Sequence, residues 1–137
     1  ENLIMLKKRN PHAIKRRQQA WIERHRQTAV VPDDSLPHDL YAIADAAAVS
    51  RFIAQYPFLR TLLNEIPAHI RAYFPNEPLE LSLYIDPDHI EKYLLVSIMT
   101  ELTVEEAWAQ FEPFRQTWWL DNIQRGDFKL HIDLGYL

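Results

Sequence analysis

Cysteine is absent from this 137-residue chain, and glycine occurs only at Gly126 and Gly135. The first absence excludes disulfides, thiolate zinc sites and thiol chemistry. The second excludes a phosphate cradle of the Walker or dinucleotide type, which needs several positions of close backbone approach. Long apolar runs are also missing: none exceeds five residues, far short of a bilayer span. The opening Leu3-Ile4-Met5-Leu6 is too short for the apolar region of a secretory signal. The expectation is a cytoplasmic protein with no membrane association. Finally, acids are nearly missing from one end. Residues 1–27 hold two of the 19 acids but eight of the 15 Lys and Arg, a net charge of +6 against −10 for residues 28–137.

What is present points to a folded core. Hydrophobic residues make up 47% of the chain, with six Phe, six Tyr and four Trp, and a chain of this length buries about two-thirds of its unfolded surface. Asn10-Pro11 reads as a helix start, cap then preset φ, opening a helix to about Gln27. Its apolar stripe (Ile14, Ala20, Trp21, Ile22) is too thin to bury the helix deeply, so it docks by one edge with Trp21 as anchor. The Pro- and Asp-rich stretch 28–39 reads as a linker, which divides the chain into a basic helical arm (1–27), a linker (28–39) and an acidic α/β domain (40–137).

Within that domain, residues 40–74 follow a helical pattern punctuated by Pro57 and Pro67, each expected at a helix start because an interior proline costs about 3 kcal/mol. Leu79, Leu81, Leu83 and Ile85 alternate with polar residues, giving a half-buried strand. Asp86-Pro87-Asp88 turns the chain into a second strand at 93–100. Thr103 and Glu106 have capping-box spacing, Pro113 should kink the helix that follows, and Gly126 suits a left-handed helix end. A last strand alternates Phe128, Leu130, Ile132 and Leu134 with Lys129, His131 and Asp133. The fold class expected is α+β: an α-β-β-α-β two-layer domain with helices on one face of a three-stranded mixed sheet. The last strand should run parallel to the second, with the first between them.

The face opposite the helices would carry Glu80, Ser82, Tyr84, Tyr93, Leu95, Ser97, Met99, Lys129, His131 and Asp133. Apolar area from Tyr84, Tyr93, Leu95 and Met99 interrupts its polar pattern. Either it is an association surface, or the N-terminal segment folds back over it. Adjacent Trp118 and Trp119 point about 100° apart on a helix, so one should pack under the sheet and the other lie at the surface, as a packing residue or as a hot spot for a partner. The six histidines are scattered without metal-ligand spacing, so no metal or cofactor is expected.

The segments FPNEPLELSLYIDPD, LTVEEAWAQF and TWWLDN followed by KLHIDL, within residues 58–137, resemble a group of small uncharacterised bacterial proteins common in cyanobacteria. Those share a D-P-[DE] turn after a strand, an S/T-x-EEA helix and a W-W-L-D-N segment. The resemblance implies a small cytoplasmic protein, the partner half of a toxin–antitoxin-like pair, and assigns no catalytic residue. The functional expectation is thus a non-enzymatic partner-binding protein, antitoxin-like or an accessory subunit, contacting another protein chain or a second copy of itself through Trp21, Tyr84, Tyr93, Leu95, Met99, Trp118 and Trp119. A first alternative is nucleic-acid binding, with Lys7, Lys8, Arg9, Lys15, Arg16, Arg17, Arg24 and Arg26 tracking phosphates. A second is an enzyme on the open face, where Asp133 would orient His131 as a general base.

Overall fold

A computed structural model describes residues 16–28, 36–88 and 90–137. Helix α1 (Arg16–Thr28) is followed by a two-residue strand β1 (Ala42–Ile43), helices α2 (Ala46–Gln55) and α3 (Leu59–Ile70), the hairpin strands β2 (Leu79–Ile85) and β3 (Lys92–Thr100), helix α4 (Val104–Phe114) and strand β4 (Leu130–Tyr136). Between α4 and β4 the chain stays helical through a π turn (Arg115–Trp119), a short α turn (Leu120–Asn122) and a 3-10 turn (Ile123–Gly126). The α+β class holds, with a mixed sheet of four strands rather than three, ordered β1-β2-β3-β4.

The hairpin pairs antiparallel with Leu81 opposite Val96, and β4 runs parallel to β3 with Val96 beside Ile132. The last strand runs parallel to the second as expected, but it pairs with it directly: β3 lies between β2 and β4, where β2 was expected between the other two. The reason is that β1 occupies the other edge of β2 in parallel register, Ala42 beside Glu80, so the crossover strand takes the free edge of β3. A strand of two residues carries no periodicity for a sequence reading to detect, and residues 42–43 belong to it rather than to the first domain helix.

One face of the sheet is dry. Leu79, Leu81, Leu94, Val96, Ile98, Leu130 and Ile132 meet Val49, Ile53, Leu62, Leu63, Ile66, Phe111, Phe114 and Trp119 in a single core. Each such side chain contributes about 1.5–3 kcal/mol through removal from water. Leu36 also belongs to this core, so the domain starts before residue 40, while residues 29–35 of the expected linker lie outside the described residues. The helix start at Asn10-Pro11 lies outside them too.

Local chemistry explains where the helices begin and bend. Thr103 and Glu106 form the full capping box, with Glu106 N–H donating to Thr103 Oγ1 (3.2 Å) and Thr103 N–H to Glu106 Oε1 (3.0 Å). Pro67 departs from expectation: it lies inside α3 rather than opening a new turn. A proline there leaves the carbonyl four residues earlier without its amide donor. That carbonyl is Leu63, and the buried Tyr41 hydroxyl donates to it at 2.7 Å. The hydroxyl replaces the missing N–H and ties the start of β1 to α3, while burial pushes the Tyr41 phenol far above its ordinary value.

Pro113 likewise sits inside α4, and the helix does not split; it widens into the π turn just after it. Gly126 is not left-handed. The left-handed residues are Asp127 (φ 49°) and Phe128 (φ 59°), and Gly126 is needed for space, since a Cβ there would stand 3.2 Å from Leu130 Cβ. The turn throws the Phe128 ring outward, 70% exposed, so Phe128 is not the inward strand residue its alternation suggested.

A half-covered sheet face as candidate interaction surface

The face of the sheet turned away from α2–α4 has two unlike ends. At the Met99 end, α1 lies against it. The helix presents few apolar residues, and two side chains do most of the docking: Trp21 is 4% exposed and Gln18 fully buried. Gln18 Nε2 donates to the Met99 carbonyl at 3.1 Å, and the Arg17 guanidinium reaches the Leu137 carbonyl at 3.5 Å. Gly135 makes room below: a Cβ there would fall 2.5 Å from Met99 Sδ. The Met99 side chain thus lies over the adjacent strand, where Arg17, Ala20 and Trp21 border it. The thin stripe and the Trp21 anchor are both realised, but the surface they dock on is the protein's own. Trp21 is therefore not available as a contact for another chain.

Beside Trp21 is a cleft of about 310 Å³, bordered by His38, Tyr41, Arg71 and Pro78. Arg71 is held by the Phe74 and Glu77 carbonyls at 2.9 and 2.7 Å. Burial lowers the pKa of its guanidinium, and the Glu77 carboxylate acts in the opposite sense. Behind it, the buried Thr100 hydroxyl donates to Glu77 Oε2 at 3.2 Å. This polar group faces the backbone and its own members, so its evident work is to fix the loop that leads into β2.

At the hairpin end no described element lies on the face. Tyr84 and Tyr93 stack across β2 and β3 with ring centroids 4.8 Å apart, and His131 on β4 meets Tyr93 edge-on at 4.2 Å. Leu95 is half-buried beside them. Tyr84 is 41% exposed, and Ile90 and Phe128, exposed by 79 and 70%, stand at the end of this row beside His131. Partial desolvation, then the charges of Tyr84 and nearby acids, raises the Tyr93 phenol pKa. A shallow pit of about 260 Å³ lies between Ile90, Phe128 and His131. Of the open-face residues named from alternation, Lys129 is misplaced, because its Nζ lies 5.3 Å from the Tyr56 ring centroid in the helix layer. Phe128 was read as an inward strand residue and Ile90 was not singled out by sequence; no periodicity marks an apolar residue in a turn as exposed.

The remaining expected site residues separate. Trp119 is buried in the core and Trp118 is half-buried, its ring stacked on His69 at 4.0 Å and 12°, so the pair is a packing element and Trp119 offers no surface. His131 and Asp133 share a face but no hydrogen bond joins them. Asp133 Oδ1 instead accepts from the Leu134 N–H at 2.8 Å. Among the described residues no group of His, Asp or Glu is placed to hold a metal ion, and no helix is long and apolar enough to cross a membrane. Of the basic arm, Arg16 and Arg17 are exposed; Lys7, Lys8, Arg9 and Lys15 lie outside the described residues, as do the side chains of Arg24 and Arg26. No family model, curated protein or solved structure matches this chain.

Proposed function

We propose that the protein is a non-enzymatic binding module whose partner, another protein chain, docks on the bare half of the open sheet face. The observation that carries this reading is the aromatic row Tyr84–Tyr93–His131 with the exposed Ile90 and Phe128 at its end. Tyrosines on a rigid sheet supply large contact area at low entropic cost, and aromatic anchors ringed by lesser contacts are what binding hot spots are made of. The absence of a pairing between His131 and Asp133 favours binding over general-base chemistry. The test is co-purification from native extract with wild-type protein and with Tyr84→Ala/Tyr93→Ala. The double variant should fold normally and lose the bound chain; the same companions in both preparations would reject the face.

A second reading rests on Arg16 and Arg17, which α1 leaves exposed while Gln18 and Trp21 face the domain. A helix docked through Gln18 and Trp21 with exposed cations beside them can follow a phosphate backbone. RNA binding by this route weakens steeply with salt, and Arg16→Ala/Arg17→Ala should reduce both affinity and the salt slope. A slope unchanged in that variant would remove the arginines from consideration.

A further inference from the structure

We infer that the outer edge of β4 pairs with the same edge of a second copy, joining two four-stranded sheets into one. In the order β1-β2-β3-β4 the last strand is an edge, and no described strand pairs with its outer side. The ladder to β3 uses odd-numbered residues: the Lys129 carbonyl accepts from Leu94 N–H, and Leu137 N–H donates to the Thr100 carbonyl. Because alternate residues carry a parallel ladder, the main-chain groups of Leu130, Ile132, Leu134 and Tyr136 point away from β3. Such a row is a template for another strand.

The sequence of the edge selects both the occupant and the register. A twofold axis at Ile132 sets Ile132 against Ile132 of the second copy and Leu130 against Leu134. These are all residues whose main-chain groups face outward, as an antiparallel hydrogen-bonded pair requires. The same register places His131 opposite Asp133 twice over on the open face, so an imidazole N–H of each copy meets a carboxylate acceptor of the other. It also brings Phe128 and Tyr136, exposed by 70 and 47% in the single chain, to matching positions at the two ends of the joint. Every part of the surface is thus answered by another part of the same strand, which is the condition for an isologous dimer. Of these outward donors, Leu134 N–H is now held by Asp133 Oδ1. On pairing it would pass to the Leu130 carbonyl of the second copy, freeing the carboxylate for His131.

Sedimentation of the full chain over a concentration series tests this, with thermal melts confirming that each variant folds. Wild-type protein should show a monomer–dimer equilibrium. Asp133→His, which sets imidazole against imidazole in both cross-strand pairs, should weaken the dimer about tenfold. The exchange His131→Asp/Asp133→His restores complementary pairs and should return the wild-type constant. Leu134→Pro removes an outward N–H that β3 does not use and should leave a folded monomer. Amide exchange gives an independent readout, with Ile132 and Leu134 becoming protected as the dimer forms. The inference is overturned by wild-type protein that stays monomeric at every concentration, by a dimer indifferent to Leu134→Pro, or by failure of the exchanged pair to restore it. Protection of those two amides in a monomer would assign the edge to another segment of the same chain, and overturn it equally.

Discussion

The two ends of the open sheet face are built on the same three strands and differ in what lies on them. At one end Met99, Gly135 and the Met99 carbonyl receive α1 through Trp21 and Gln18; at the other Tyr84, Tyr93 and His131 receive nothing from the described chain. The covered end shows how little is needed to seat an amphipathic segment on this sheet: one aromatic ring, one amide bonding to a backbone carbonyl, and a glycine that lets a methionine lie flat. The bare end offers more aromatic area than the covered one. A partner satisfying similar terms would therefore bind without any rearrangement of the sheet.

Several substitutions break or sharpen that contrast. The largest effect belongs to the dry face: Phe114→Ala should cost about 3–5 kcal/mol, read as a lowered urea midpoint, whereas Tyr93→Ala should cost under about 1 kcal/mol because its ring stands on the bare end. Comparable losses from the two would mean that the bare end is part of the core. Trp21→Ala comes next, since its burial is most of what α1 gains. Docking should weaken by about 3 kcal/mol, seen as rapid proteolysis within residues 16–28 with the midpoint of the remaining domain little changed. Tyr41→Phe should cost about 1–3 kcal/mol because it leaves a buried carbonyl unsatisfied. In a Pro67→Ala background, where an amide again reaches Leu63, the same change should cost much less, and equal penalties would disprove the substitution of hydroxyl for N–H.

Smaller still is the acid limb of stability. The Arg125 hydrogen bond holds the Glu65 carboxyl below its ordinary value, and Gln116 and Arg115 do the same for Glu112. A depressed folded-state pKa gives stability that is present above the unfolded value and fades as pH falls through the folded one. Glu65→Gln/Glu112→Gln should therefore flatten the decline of stability in the acid range, a modest change because both carboxylates are at the surface. A pH–stability curve superimposable on that of wild type would show that neither contact persists in solution.

Elements that bury one side of a long repeat were readable in the sequence. The alternation of Leu79–Ile85 gave its strand to the residue, and Thr103 with Glu106 gave its helix start, because both are local consequences of neighbouring side chains. What was hidden depends on partners distant in sequence. β1 is a strand only because Leu81 and Glu80 accept it, and Pro67 is tolerated in mid-helix only because a hydroxyl 26 positions earlier, on Tyr41, donates to Leu63. The candidate site divides in the same way. Tyr84 and Tyr93 follow from alternation, but the exposure of Phe128 depends on two consecutive left-handed residues that a strand-like pattern conceals. Whether the arm covers the face could not be read from its charge, because the docking groups Gln18 and Trp21 are the uncharged members of a basic helix.

The stacking of His69 on Trp118 has an optical consequence. An imidazole lying flat on an indole quenches its emission. A variant retaining Trp118 as its sole tryptophan would thus show by its brightness whether the contact between α3 and the π turn is intact. Because the chain contains no thiol, a single introduced cysteine could bear a second dye elsewhere without competing sites. The fluorescence of one native side chain would then report on the packing of the helical layer while the added label watches the sheet.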